Sequence, residues 1–249
     1  KYYFIKRPDV TMAFVFGSYA RGQEIYESDF DVAVYFKPEG KCLEWEETKY
    51  FRDEDKIWSD IEKIVCLNTD LVVLNRAPST VSFSILQDGL PIIIKDHSLY
   101  LKFFLTISSA AEDFREFSKD FWTIKQRSMS LKPVDKERLL KIIDFLETEI
   151  ADYPEFANID QTTFGNDNSL RRNVERWVEN IVNSSIDVAK ILLASRRKKM
   201  PHTYREILQE LSLLKNFETK TAEKLAQFSK LRNILAHEYI DIRFDQIKR

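Results

Sequence analysis

The chain has 249 residues, 44% of them hydrophobic, enough to fill the cores of two ordinary domains. A net charge of −2 excludes a global electrostatic footprint for nucleic acid, so any RNA contact must come from a local basic patch. The two cysteines, Cys42 and Cys66, lie in no metal-ligand spacing and fit a reduced cytoplasmic protein better than a secreted one, and apolar runs such as Leu90 to Ile94 are far too short to cross a bilayer. The chain opens at Lys1 without a methionine, which predicts that some native N-terminus is missing.

Taken in order, Ala13 to Phe16 reads as a short apolar strand, Gly17-Ser18 as a turn opening a helix, and the next strand carries Asp29 and Asp31. Strand side chains alternate, so Asp29 and Asp31 share a face while Phe30 and Val32 point into the core. Two carboxylates there make a metal site. A Gly-Ser at a helix N-terminus offers backbone N–H groups, a hydroxyl and positive dipole to a phosphate, and Gly17 leaves room for close approach. The stretch therefore suits a nucleoside triphosphate with a divalent ion, and attack at phosphorus.

Four of the five glycines, Gly17, Gly22, Gly40 and Gly89, come early, and only Gly165 follows, so the first part turns often and the second is mostly helix. After a turn at Lys37 to Gly40, a charged helical stretch is expected to run to about Val65 with Trp58, Ile61 and Val65 on one face. Asp70 to Leu74 reads as a β-branched strand that starts with a carboxylate. A helix over Thr80 to Gln87 and a strand over Pro91 to Lys95 follow. From Leu99 to about Lys125 an amphipathic helix shows Leu101, Phe104, Ala111, Phe114, Phe117, Phe121 and Ile124 at helical spacing.

Ser128 to Val134 breaks that pattern, Asp135 is expected to cap the next helix, and the boundary is placed so that residues 1–130 and 131–249 form separate domains. The second reads as a helical bundle with stripes at Leu139, Ile143, Leu146 and Ile150, at Val174, Trp177, Val178, Ile181 and Val188, at Ile207, Leu208, Leu211 and Leu214, and at Leu225, Phe228, Leu231 and Leu235. Asn158 to Asn168 is expected to be a polar loop. The basic run Arg196 to Lys199 reads as a solvated helix end.

Gly17-Ser18, ten residues, then Asp29-Phe30-Asp31-Val32 resembles the signature of the DNA polymerase β-type nucleotidyltransferase superfamily. The fuller Phe16-Gly17-Ser18-Tyr19-Ala20-Arg21-Gly22, with Ser28 before Asp29, is similar to its minimal nucleotidyltransferase branch. The resemblance implies an α+β domain with a mixed sheet, Asp70 as a third acidic residue completing a Mg²⁺ cage (two metals) with Asp29 and Asp31, Gly17, Ser18 and Arg21 at the nucleotide, and ATP as substrate.

Leu231-Arg232-Asn233-Ile234-Leu235-Ala236-His237-Glu238-Tyr239 resembles the Arg-x4-His-x-Tyr signature of HEPN domains, in their HepT branch. Arg172, Val174-Glu175-Arg176, Ile186-Asp187-Val188-Ala189 and Tyr204-Arg205 support it. That likeness implies an all-α bundle that forms a homodimer and cuts RNA without metal. Cleavage at the 2′-OH needs a base or acid and a cation, which His237 and Arg232 can be, with Asn233 placed to orient the imidazole. On an ideal helix, however, Arg232 and His237 lie about 140° apart, so the arginine must swing round, the helix must loosen, or a second subunit must supply one of the pair. In related two-protein systems the transferase moves AMP to the tyrosine of that motif, which implies Tyr239 as acceptor and silencing of the ribonuclease. Two alternatives stay open: a small-molecule, aminoglycoside-like transferase with a helical acceptor domain, and a non-catalytic module that binds RNA or nucleotide.

Overall fold

The computed structural model describes residues 1–26, 28–40, 42–127 and 130–237. The chain runs through α1 (Tyr2–Ile5), β1 (Val10–Val15), α2 (Gly17–Arg21), β2 (Phe30–Phe36), α3 (Glu54–Val65), β3 (Thr69–Val73), α4 (Ser79–Asp88) and β4 (Leu90–Ile94) before entering the long α5 (His97–Arg127). The strands form one mixed sheet in the order β3-β2-β1-β4, with β1 antiparallel to both neighbours and β2 parallel to β3. β1 is flanked on both edges and covered on both faces, which is why it is almost wholly apolar. It starts three residues earlier than expected and ends at Val15, because Phe16 is already the extended residue before α2.

Alternation along β2, and along β1 beyond an irregularity between Val10 and Met12, splits the core in two. Met12, Phe14, Ala33 and Tyr35 face Ile85 and Leu86 of α4 and Phe103 and Ile107 of α5. Val10, Val32, Val34 and Phe36 face Phe4, Ile57 and Ile61. Asn75, fully buried, closes the end of β2 by accepting from the Phe36 N–H at 2.8 Å and donating to its carbonyl at 3.0 Å, as a strand neighbour would.

Two expectations for this part are corrected. The stretch before Glu54 is not helical: Leu43 and Trp45 belong to the core on one face of the sheet and Phe51 to the core on the other, and no single helix could serve both. Within α3, Ile57 and Ile61 carry the burial, whereas Trp58 stays 42% exposed and donates its indole N–H to the Thr69 carbonyl at 2.6 Å.

In α5 the buried stripe is Phe103, Ile107, Ala110, Phe114, Phe117, Phe121 and Ile124, a strict four-three repeat. Leu101, expected on that stripe, is 58% exposed. The chain divides into two compact units, Lys1–Phe114 and Arg115–Arg249, inside this helix.

The second unit continues with α6 (Pro133–Ala151), α7 (Tyr153–Phe156), α8 (Gln161–Asn166), α9 (Asn168–Ser195), α10 (Tyr204–Glu210) with a 3-10 turn at Leu211–Leu213, and α11 (Thr219–His237). Pro133 does not interrupt a helix but starts one, at the first position, where its missing N–H costs nothing. Asp135 is therefore not the cap. It is buried in the first turn and paired with Arg127 at 2.9 Å. The expected polar loop holds α8, anchored by buried Phe164 and capped by Asp160, which accepts from the Thr163 N–H; Asp167 caps α9.

Two stripes also differ. In α6, Leu139 is buried but Ile150 is exposed. In α11 Leu231 is buried as expected, but Ala222, Ala226, Ser229 and Asn233, small or short residues that let neighbouring helices approach, are buried with it, while Phe228 stays 42% exposed. Among the described residues, no helix is long and apolar enough to cross a membrane.

Lys190 on α9 is only 4% exposed, yet it is satisfied by Asp187 at 2.7 Å, Asp120 at 2.8 Å and the Phe117 ring at 4.8 Å. Burial pulls the Asp120 carboxyl up, but pairing with Lys190 and Arg138 outweighs it and holds the group below its ordinary value. Lys190→Ala is expected to cost about 2 kcal/mol, less than breaking a fully buried pair because the stranded carboxylates are partly exposed. The Asp120 contribution is present above its unfolded value near 3.8 and is lost as pH falls through the lower folded value. Urea titrations should show wild type and variant well separated at pH 7 and closer together in strong acid.

Candidate functional site

Gly17 opens α2 with φ +69°, in the left-handed region, and a β-carbon placed there would lie 1.9 Å from Asp31 Oδ2. Only glycine accommodates both the backbone and the carboxylate that leans on it. Phe16, just before, donates its N–H to the Asp31 carbonyl at 3.0 Å, so the turn is tied directly to β2. Ser18 follows, half-buried, and α2 ends at Arg21 and a left-handed Gly22. Tyr19 packs edge-on against Phe30 with ring centroids 5.3 Å apart, fixing the short helix over the sheet.

Asp31 lies in β2 and Asp70 in β3, and the two are register partners across the parallel pair, so their side chains leave the same face. Asp29 stands one residue before β2 and is exposed, as is Asp70; Asp31 is half-buried. The Asp31 carboxyl is pushed above its ordinary value of 3.8, first by burial and then by the charges of Asp70 and Asp29, with Arg21 opposing. Asp70, Asp29 and Arg21 thus all act electrostatically on Asp31.

The expected closed metal cage is a different matter: among the described residues, no three His, Cys, Asp or Glu side chains are gathered closely enough to hold one ion. Exposed like charges stay apart in water. In kind the residues fit a divalent cation, since carboxylate oxygens are its preferred donors and Asp31 already carries repulsion that a cation relieves.

The second cluster lies on α11, α9 and α10. Arg232 is 7% exposed, and its long side chain does swing round the helix to bring Nη1 within 2.9 Å of His237 Nε2. An arginine only donates, so Nε2 accepts and the imidazole proton sits on Nδ1. The Arg232 Nε–H points to Asn183 Oδ1 at 3.4 Å, and the guanidinium lies over the Tyr204 ring, 4.3 Å from its centroid. Asn233 is buried on the same helix. Tyr239, the expected acceptor, lies outside the described residues.

Asn183 is the member that sequence reasoning missed. An amide between buried Val182 and Ser184, in the middle of a long helix that contributes the bundle's core, was the available signal.

The basic run is a helix end as expected: α9 stops at Ser195, Arg197 adopts φ +53°, and the Lys198 carbonyl accepts from Lys125 Nζ at 2.7 Å. Cys42 and Cys66 are free thiols. The helical unit also contains a cavity of about 510 Å³ between α9 and α11, walled by Phe156, Trp177, Val178, Ile181, Phe228 and other apolar side chains.

A mixed sheet presenting acids beside a Gly-Ser turn, followed by a bundle in which an arginine meets a histidine, defines a transferase domain joined to a HEPN-type bundle. Family comparison gives the same division: residues 1–98 match the family Polymerase beta, Nucleotidyltransferase, and residues 146–249 match Ribonuclease HepT-like. The chain is therefore a polymerase β-type nucleotidyltransferase domain fused to a HepT-like domain. Similar solved structures include a toxin-antitoxin crystallised with AMP-PNP, 19% identical, with a TM-score of 0.36, covering 44% of this chain and 80% of that one. Two mutants of the toxin-antitoxin MntA-HpeT match at 17% and 18% identity with TM-scores of 0.36, over 44% and 45% of this chain and 80% and 82% of theirs. No curated protein matches the sequence.

Proposed function

We propose that the N-terminal domain is a Mg²⁺-dependent nucleotidyltransferase that moves AMP from ATP to Tyr239 and thereby silences a ribonuclease site in its own HepT-like domain. The family implies a nucleotide substrate and a divalent ion. The observation that carries the reading is the register pairing of Asp31 with Asp70 beside the Gly17 turn, with Asp29 close enough to add to the repulsion.

In this reading the Gly17-Ser18 turn receives the triphosphate through its N–H groups and the Ser18 hydroxyl, and Arg21 offsets negative charge beside the acids. Asp29, Asp31 and Asp70 would draw together around the ion, which would offset charge on the phosphates and favour loss of the phenol proton. The tyrosine oxygen forms a bond to the α-phosphorus, the bond from that phosphorus to the bridging oxygen breaks, pyrophosphate leaves, and the phenol proton passes to solvent. The product puts a bulky anion two residues from His237, where RNA would have to approach. RNA, a second copy of the chain and a reducing, cytoplasmic setting complete the reading, the last supported by the two free thiols. The apolar cavity gives no support to a polycationic, hydroxyl-rich acceptor such as an aminoglycoside.

Intact-mass spectra after incubation with ATP and Mg²⁺ should gain one or more AMP groups. The gain should vanish with Tyr239→Phe. An unchanged wild-type mass overturns the proposal.

A further inference from the structure

We infer that Tyr204 and Asn183 are positioning residues that turn Arg232 toward His237; this rests on the reading of the helical domain as a ribonuclease. Five residues separate Arg232 from His237, so the helix itself points them about 140° apart. An arginine left to its own rotamers would spend most of its time elsewhere. What brings it round is visible in the packing.

Its guanidinium lies over the Tyr204 ring, 4.3 Å from the centroid, Tyr204 meets Phe117 edge-on at 5.2 Å, and the Lys190 ammonium lies over the Phe117 ring at 4.8 Å. Cation, ring, ring and cation thus form one chain of contacts. Lys190 is tied down in turn by Asp120 and Asp187. Thr203 accepts from the Glu206 N–H and fixes the start of the helix that presents Tyr204. A planar guanidinium can stack and donate in its own plane at once, which a lysine cannot do. With Arg232 held over Tyr204 and its Nε–H directed at Asn183, Nη1 is left aimed at the imidazole.

The consequence is a fixed histidine. His237 must offer Nε2 as an acceptor to the arginine, so the tautomer with the proton on Nδ1 is selected. A neutral imidazole held that way presents one defined nitrogen and one defined N–H to whatever enters the site.

The test separates a ring from a hydroxyl and an acceptor from mere bulk. Tyr204→Phe keeps the stack and Asn183→Asp keeps the acceptor; Tyr204→Leu and Asn183→Leu remove them. Long-range ¹H–¹⁵N spectra of the full chain report the tautomer, and with only His97, His202 and His237 present the signals are assigned by substituting each in turn. Wild type, Tyr204→Phe and Asn183→Asp are expected to show His237 as the Nδ1–H form, and the leucine variants a mixture with the Nε2–H form. RNA cleavage should fall in kcat by about tenfold or more in the leucine variants with KM little changed. Circular dichroism confirms folding in each. Leucine variants that fold and keep both tautomer and kcat overturn the inference. If the tautomer follows the pattern but no form of the protein cuts RNA, the positioning stands and the ribonuclease reading falls.

Discussion

Asp31→Asn should abolish nucleotidyl transfer and at the same time leave the protein as stable as, or more stable than, wild type. Loss of one charged oxygen ligand from a metal-assisted phosphoryl site is expected to cost at least about a thousandfold in rate, or about 4 kcal/mol of transition-state stabilisation. The stability effect has the opposite sign because Asp31 sits where burial and the charges of Asp70 and Asp29 all oppose its ionisation. Its folded pKa lies above the ordinary 3.8, so the folded state binds that proton more readily than the unfolded chain. The stabilisation this provides is complete below the unfolded value and disappears as pH rises through the folded one. At neutral pH wild type therefore carries a penalty that the amide does not, and acidification should bring the two melting midpoints together. Asp120→Asn, which removes an acid held below its ordinary value by Lys190 and Arg138, should do the reverse and destabilise at neutral pH. Thermal melts of both variants from pH 4 to 7, read beside the mass assay, check the pair. An Asp31→Asn protein that melts well below wild type at pH 7 would show that the acids are not a strained functional cluster.

The parts of this site that were legible in the sequence are those whose chemistry is local. A Gly-Ser turn is defined by dihedral freedom and Asp31 by the two-residue repeat of its strand, and both are found where the pattern puts them, with Asp29 one residue short of β2. Asp70 was legible only through the family resemblance, because nothing in its own strand, which opens at Thr69, announces the parallel register that sets it opposite Asp31. Helical stripes were less secure. Leu101 and Phe103 are both apolar and two residues apart, and only the arrival of the sheet at one side of α5 decides that Phe103 is buried and Leu101 is not. The stretch before Glu54 misled for the same reason: its apolar residues are anchored one at a time on opposite faces of the sheet, which leaves no period to read. Asn183 could not be found from spacing. It is separated from Arg232 by 49 residues and meets it only because two helices of the bundle lie side by side.

If the transferase silences the helical domain, the ribonuclease should be seen most clearly in a protein that cannot modify itself. The Asp31→Asn chain is that protein, and it is expected to cleave single-stranded RNA where the wild-type chain preincubated with ATP and Mg²⁺ does not. Adding His237→Ala to Asp31→Asn should then remove cleavage by about a hundredfold to ten-thousandfold, the usual contribution of a positioned acid or base. Arg232→Lys in the same background should also lose most activity despite keeping the charge. A lysine cannot lie flat on Tyr204 while donating to Nε2, so the imidazole is released. Arg232→Ala should in addition destabilise the fold by roughly 2 kcal/mol, because a desolvated cation–π contact and a buried side chain go together. The ordering matters more than any single value. Loss of stability with Arg232→Ala but not with His237→Ala, and loss of cleavage with both, places the arginine as support and the histidine as the reacting group. A folded, unmodified Asp31→Asn protein that leaves RNA intact would instead mean that AMP on Tyr239, if it is added, controls something other than RNA cleavage.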